Sequence, residues 1–512
     1  MFFWKRLKNK KPKKRDLDRL STSLETNVES LRSNLFTNDD TISYRSIRTR
    51  GPRPHECVLI YADNMAKRDF LTDFIVRPLM TSSLPKELDG HELLDFIMEQ
   101  VIPADSVHTT SSYRKLADVV VRGVGVVLVE GCNVGLMVEA QGWEKRAVSE
   151  PQSEIVVRGP RQGFTEDLGV NISLVRRKLT TPKLKTKYMY VGLQTETKIA
   201  LMYLESIASQ DLVEEVTQRI ERIEIDGVLE SGYIEELIQD LPLSPSMYPD
   251  SKTRPDKVAA KLLEGRVAVL VDGTPFALTM PFLFVEVFQA NEDYYRHWLL
   301  ASFHRIIRYI AFLLTTSTPG LYLALVAHHP QLLPMNLAVS IAAARKNVPF
   351  PAMVEVVIMG LVFEILREGG VRLPRSVGQA ISIVGAIVLG DAAVSASLVS
   401  APMIIVVGLT GVAGFVVAQL NDVAVIVRLG LVVLGGVLGV YGFLIGIMGL
   451  VLHLASMKSF DVPYLSSLTS LSIQGSKDTL LRAPWWQMKR RPRNIASKNE
   501  ERLQSQSRSK GR

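Results

Sequence analysis

Four carboxylates stand in stretches otherwise rich in Val, Ile, Leu, Ala and Gly: Glu355, Glu364, Glu368 and Asp391. An ionised carboxylate at bilayer depth costs about 2.5 kcal/mol or more, so each must have a partner or water. Glu364 and Glu368 are four apart and share a helix face, while Glu355, nine residues before Glu364, lies half a turn away. In a ring of identical subunits one such carboxylate becomes a ring of negative charge, which selects cations. Glu355 or Glu364 is the first candidate for that role, and Asp391 a second candidate for a pore or an interface. The competing reading is local pairing, Glu364 with Arg367 at i+3 and Glu368 with Arg372 at i+4. The chain has no His-Glu-x-x-His, Walker A, Gly-x-Ser-x-Gly or Cys-x-x-Cys pattern, so no catalytic residue, metal site or cofactor is expected. Cys57 and Cys132 read as reduced buried thiols, and His328-His329 as a solvated loop pair rather than a metal site. Glu130 and Asp272 read as paired turn residues.

The elements that position these carboxylates are apolar helices. A bilayer core needs about 20 apolar residues as helix, and four segments come close: about 309–327, 377–399, 403–420 and 429–456. A fifth, 350–366, carries Glu355 and Glu364. The 512 residues have a formal net charge of +8, but residues 1–50 carry +7 and 482–512 carry +8, leaving −7 on the rest. The charge therefore belongs to the ends and does not argue for nucleic-acid binding by the globular body. The N-terminus has no apolar signal segment, and the basic C-terminus is expected inside by the positive-inside rule. Both termini cytoplasmic requires an even number of crossings, so four spans are expected, with 350–366 re-entrant or interfacial. Gly435, Gly439, Gly442 and Gly446 are spaced 4, 3 and 4, and Gly378 and Gly385 lie in an earlier span. Small residues on one helix face let helices pack closely in lipid.

The first half of the chain repeats itself. Leu59-Ile60-Tyr61 aligns with Leu201-Met202-Tyr203, Lys115-Leu116-Ala117 with Lys257-Val258-Ala259, and Val126–Gly131 with Ala268–Gly273, all at an offset of 142. Two copies of a small α/β unit are expected. The fold class is thus a duplicated α/β (α+β) cytosolic domain followed by an α-helical multi-pass membrane domain. The expected boundaries are a basic, largely disordered tail at 1–50, a first subdomain at 51–150, a linker with a bridging helix at 151–195 and a second subdomain at 196–290. The membrane domain follows at 291–460, and a basic tail at 461–512.

Several runs carry a family resemblance. They include Arg254-Pro255-Asp256, Val271-Asp272-Gly273-Thr274-Pro275-Phe276 and Ser340-Ile341-Ala342-Ala343-Ala344-Arg345. The most specific are Val348-Pro349-Phe350-Pro351-Ala352, Phe363-Glu364-Ile365-Leu366-Arg367-Glu368 and Ser459-Phe460-Asp461-Val462-Pro463-Tyr464. From about residue 50 to 470 the chain resembles the A subunits of GerA-type spore germination receptors. It departs from their pattern at Gly360, where an acidic residue is frequent, and at Asp461 and Ser467. The resemblance implies a non-enzymatic receptor subunit in the spore inner membrane. Its implied partners are a B subunit similar to amino-acid transporters, a lipoprotein C subunit, membrane lipids and further copies of the A subunit, which would form a nutrient-gated cation channel. A secondary transporter is the alternative, but its inverted membrane repeat is not seen. A non-conducting scaffold is another. The link Glu286–His304 is expected to couple the soluble domain to the pore.

Overall fold

The computed structural model describes residues 19–502 except 51–53, 86–87, 89, 105, 143–157, 243, 245–249, 373–387, 470–477, 493–494 and 497. The chain divides into two compact units. One comprises Met1–Gln239, Pro249–Pro281 and Arg490–Arg512, the other Asp240–Tyr248 and Phe282–Lys489.

The first unit holds two five-stranded antiparallel sheets of the same topology. In one, β1 (Ile42–Arg48), β2 (Glu56–Ala62), β3 (Val107–Thr110), β4 (Val124–Val129) and β5 (Gly135–Glu139) are ordered β1-β2-β4-β5-β3. In the other, β6 (Leu184–Val191), β7 (Thr197–Leu204), β8 (Asp250–Lys252), β9 (Val267–Val271) and β10 (Ala277–Met280) are ordered β6-β7-β9-β10-β8. The apolar runs of β4 and β9 are buried along their whole length, as strands covered on both faces must be. On one face of the first sheet, α1 (Leu24–Ser30) and α2 (Tyr113–Val120) bury Leu24, Leu116 and Val120 against Ile60 and Val126. On the other, segments 68–81 and 91–101 bury Leu71, Ile75 and Ile97 against Leu59 and Val127. Over the second sheet, α3 (Leu168–Lys178) and α4 (Pro255–Leu263) take the places of α1 and α2, with Ile172, Val175 and Leu262 against Ala200 and Leu270. Gly131 and Gly273 begin the matching hairpin turns, each at φ +84°, a backbone that glycine adopts without strain.

The structure redraws three expected boundaries. The repeat begins near residue 20 rather than 51, because α1 and β1 are the counterparts of α3 and β6. Helix 168–178 is accordingly the second copy's own helix, not a bridge. The matching extends to side chains. Asn27 accepts from the Ser21 N–H at 2.8 Å and donates to the Ser21 carbonyl at 2.7 Å. Asn171 does the same with Thr165 at 2.8 and 2.6 Å. Glu130 accepts from the Leu24 N–H at 2.7 Å and Asp272 from the Leu168 N–H at 3.2 Å, so these turn carboxylates cap the equivalent helices. The third change is at the C-terminus. Ile495 and Ala496 are buried, Ala496 in the core of the second sheet, and Arg502 pairs with Glu264 at 2.7 Å. The two repeats are joined by a buried ion pair, Arg176 on Asp39 at 2.7 Å, with Thr41 and Thr186 completing the cluster.

The second unit is helical: α5 (Trp298–His328), α6 (Met335–Arg345), α7 (Ala352–Arg372), α8 (Ala401–Val416) and α9 (Asn421–Ser456). Among the described residues two helical runs, Trp298–His328 and Ala418–Ser456, are long and apolar enough to cross a membrane, and Ala401–Val416 is a shorter apolar helix. Four spans were the expectation. Residues 377–387 of the expected 377–399 span, with Gly378 and Gly385, lie outside the described residues, which resume as helix at 388–395.

The expected single span at 429–456 is broken. Gly439 has φ +62° and ψ −146°, and α9 kinks there. In a straight helix Leu431 and Gly446 would be roughly 22 Å apart, yet a Cβ at 446 would fall 2.7 Å from a Leu431 methyl. The two halves of α9 therefore fold back on each other, with Leu431 against Phe443 and Ile447. The glycines consequently do not share one face. Gly435 meets Gly320 of α5, Gly439 makes the break, and Gly442 and Gly446 face the first half of α9.

Candidate functional site

The packing of the second unit fixes the direction of each helix and hence the level of each carboxylate. Ala352 and Val356, early in α7, pack with Tyr322 and Leu323, late in α5. Met403, early in α8, packs there too, while Ala413 lies with Ala311, early in α5. Thus α7 and α8 both run antiparallel to α5. The first half of α9 runs parallel to α5, since Leu431 meets Gly320 and Gly439 meets His328 and His329. At the near end, Phe282 and Phe288 share a core with Met457 and Tyr464. The chain therefore begins and leaves the bundle at the same end. Buried Arg305 reinforces that end, bonding to Asp293 at 3.2 Å and to Asp478 at 2.8 Å. The link Glu286–His304 lies within this assembly.

Glu355 is fully enclosed. One oxygen accepts from Arg345 Nε and Nη2 at 3.2 and 3.1 Å, the other from the Ser400 N–H and hydroxyl at 2.9 and 2.7 Å. It thereby ties the end of α6 to the N-cap of α8 at the far end of the bundle. Burying a carboxylate costs several kcal/mol unless it is paired and hydrogen-bonded, and here both oxygens are satisfied.

Glu364 lies toward the other end and is partly exposed. It pairs with Arg428 of α9 and with Arg367 at 2.8 Å, and Arg367 also approaches Asp422 at 3.8 Å. Beside the cluster is an apolar cavity of about 250 Å³ lined by Pro319, Val356, Gly360, Phe363, Thr410 and Val432, with Glu364 and Arg428 at its wall. Glu368 is exposed and pairs with Arg372 at 2.6 Å. Asp391 is exposed on the 388–395 helix. Both local pairs read from spacing are present, so the structure does not bring the four carboxylates together. It gives each its own surroundings instead.

The cross-helix partners Arg345, Ser400 and Arg428 were not singled out from sequence. Arg428 carried a signal, being the lone Lys or Arg between Arg375 and Lys458. Such a cation needs a carboxylate on a neighbouring helix. Cys57 and Cys132 are free and buried, and burial pushes the Cys57 thiol up to about 12, which keeps it inert. Among the described residues no cluster of His, Cys, Asp or Glu is arranged to hold a metal.

Residues 29–494 match the model of the Bacillus/Clostridium GerA spore germination protein family. The chain is 40% identical to Spore germination protein KA of Bacillus subtilis (strain 168) over 486 residues, 94% of this chain and 88% of that one. It is 37% identical to Spore germination protein B1 of the same organism over 480 residues, 92% and 97% of the two chains. Among solved structures it is similar to the N-terminal domain of the A subunit of the Bacillus megaterium spore germinant receptor GerK3, at 29% identity and a TM-score of 0.40, over 52% of this chain and 98% of that one. The chain thus combines an α/β part with an apolar helical part. The chain belongs to the GerA family, the A subunits of spore germination receptors. This is not a known enzyme family.

Proposed function

We propose that the chain is a membrane subunit of a nutrient-responsive germination receptor in the spore inner membrane. In this reading several copies form a cation-conducting channel that opens when germinant is sensed, together with a transporter-like B subunit and a lipoprotein C subunit. The observation that carries it is the Glu364–Arg367–Arg428 cluster, which neutralises a carboxylate inside an apolar helical bundle. Releasing Glu364 from its two arginines would expose negative charge where a cation path needs it, so the paired state reads as the closed one. Glu368 and Asp391 are exposed enough to line a path between copies. Enclosed Glu355 serves as an anchor between helices.

Direction and length support six crossings. The helix α5 and the first half of α9 run one way, and α7, α8 and the second half of α9 run the other. A return is required between Arg372 and Val399. At about 1.5 Å per residue, the 21 residues of α7 reach across a bilayer core. Parity then no longer requires 350–366 to be re-entrant.

Monovalent cation flux from the purified chain in liposomes tests the proposal. Glu364→Gln, Glu368→Gln and Asp391→Asn should alter conductance or cation selectivity in at least one case. Glu355→Gln should instead lower the yield of folded protein. Unchanged flux and selectivity in the first three would sink the channel reading. The pairing of every acidic residue of α7 with an arginine favours a second reading, a non-conducting scaffold subunit, for which no flux would be seen.

A further inference from the structure

The segment Leu480-Leu481-Arg482-Ala483-Pro484-Trp485-Trp486 is turned inside out. Leu480, Leu481, Trp485 and Trp486 are exposed, whereas Arg482 is only 3% exposed. Its backbone is fixed to α5. The Arg482 N–H donates to Ser302 Oγ at 3.1 Å, and the Ser302 hydroxyl lies 3.3 Å from the Arg482 carbonyl. Among the described residues the guanidinium nitrogens Nε and Nη2 are buried without a hydrogen-bond partner. The rings of Tyr294 and Trp485 lie 5.8 and 5.3 Å from the guanidinium carbon. They attract its charge but offer no acceptor to these N–H groups.

The carboxylates nearby are committed elsewhere. Asp478 gives one oxygen to Arg305 at 2.8 Å and the other to the Tyr294 hydroxyl at 2.6 Å. Asp293 is taken by Arg305 and by both terminal nitrogens of Arg308, at 2.8 to 3.3 Å. Two carboxylates thus serve Arg305, Arg308 and Arg482, and the cluster is one negative charge short. The stretches of this unit outside the described residues, 243, 245–248, 373–387 and 470–477, contain no Asp or Glu. Burial pushes the Arg482 pKa down, and Asp478 offsets this only in part. A buried charge left in this state is costly, so the site is incomplete without an anion.

We propose that Arg482 holds the phosphate of an anionic phospholipid headgroup at the end of the bundle where the chain enters and leaves. Nε and Nη2 form one edge of the guanidinium, and this edge takes two oxygens of one group side by side. Arg254 uses the same edge on Asp256, with Nε and Nη2 at 3.1 and 2.9 Å from the two carboxylate oxygens. The charge that the cluster lacks is that of a net anionic lipid rather than a zwitterionic one. The exposed apolar residues on both sides of Arg482 favour a lipid over a soluble anion. Tryptophans settle at headgroup level, and exposed leucines beside them meet acyl chains. Trp485 is the exposed one of the two rings, so the headgroup enters past it. The proposal rests on the reading of the second unit as membrane-embedded and is independent of ion conduction.

The test is thermal unfolding of the full chain in a neutral detergent, with phosphatidylglycerol, phosphatidylcholine or inorganic phosphate added. A ligand that binds the folded state raises the midpoint. The wild-type midpoint should rise with phosphatidylglycerol, less with phosphatidylcholine and not with inorganic phosphate. Arg482→Gln removes a buried charge without a carboxylate, so it should melt no lower than wild type without lipid and should lose the rise. Arg482→Lys, a charge without the paired edge, should keep a smaller rise. Leu481→Ser/Trp486→Ser leaves the arginine in place and should also reduce the rise, whereas Lys489→Gln, which removes an exposed charge, should not. No rise in the wild-type chain, an equal rise with inorganic phosphate, or a full rise in Arg482→Gln or in Leu481→Ser/Trp486→Ser overturns the proposal. Flotation with phosphatidylcholine vesicles separates this failure from that of the membrane reading. A chain that floats but does not respond to phosphatidylglycerol sinks the lipid site alone, and one that does not float sinks both.

Discussion

At the scale of single residues, the buried charges are joints between segments distant in sequence. Arg176 and Asp39 are both almost wholly enclosed, and their contact joins the two repeats. Removing one partner of a buried pair leaves an uncompensated charge, at a cost of about 3–5 kcal/mol, whereas removing both is far milder. Arg176→Met should therefore lower the denaturation midpoint of the first unit sharply, and Arg176→Met/Asp39→Leu should recover most of the loss in chemical denaturation. Glu264 makes a similar joint with the C-terminal segment. Burial alone would raise its carboxyl, but Arg266, Arg502 and Lys261 more than offset this and hold it below the usual carboxylate range. A depressed folded pKa contributes stability that is present above the ordinary value of about 4.3 and is lost as pH falls through the folded value. Hydrogen exchange of 490–502 should accordingly stay slow above that range and quicken below it. Glu264→Gln should quicken it at neutral pH.

At the scale of elements, close approach of backbones decides the helical unit. A Cβ on Gly435 would sit 2.6 Å from the Gly320 carbonyl oxygen, and one on Gly320 would sit 2.8 Å from the Leu431 carbonyl oxygen. Neither neighbour is a flexible side chain that can move aside. Overpacking of this kind costs about 1–3 kcal/mol or more, so Gly435→Val should lower the thermal stability of the detergent-solubilised chain, while Val437→Leu, at an exposed position on the same helix, should not. Size-exclusion profiles after heating would show the difference. In the sheets, β4 and β9 are legible from sequence because both faces are covered and their runs are continuously apolar. The edge strand β1, half exposed and with Arg45 and Arg48 among its residues, is not. Its place comes from pairing with β2.

At the scale of the whole chain, the decisive feature is where it begins and leaves the helical unit. Phe282 and Phe288 pack with Met457 and Tyr464, so the crossings proposed above come out even whatever the charge of the tail. The six-pass proposal puts Gly369 on the cytoplasmic side, and a re-entrant 350–366 puts it outside. Cysteine labelling of Gly369→Cys and Asn336→Cys in oriented membranes separates these. The expected result is external labelling at 336 and protection at 369.

The sequence by itself determined the family, the duplication and the apolar helical half, and it offered the two local ion pairs of α7 as one of two competing readings. All of these are written in short-range patterns: runs, periods, a constant offset and spacings of three or four. It placed the start of the repeat too late, because the counterpart helices α1 and α3 are offset by 144 residues while the strands keep 142, and Asn27 and Asn171 are one of the few identities left. Only the tertiary structure decided that Glu355 is sealed by Arg345 and Ser400, that Arg428 answers Glu364, and that α9 turns back at Gly439. Each of these depends on which helix lies beside which. A glycine inside an apolar run permits both a continuous helix and a break. The choice falls to what packs beside it, and here His328 and His329, more than a hundred residues away in sequence, lie against Gly439.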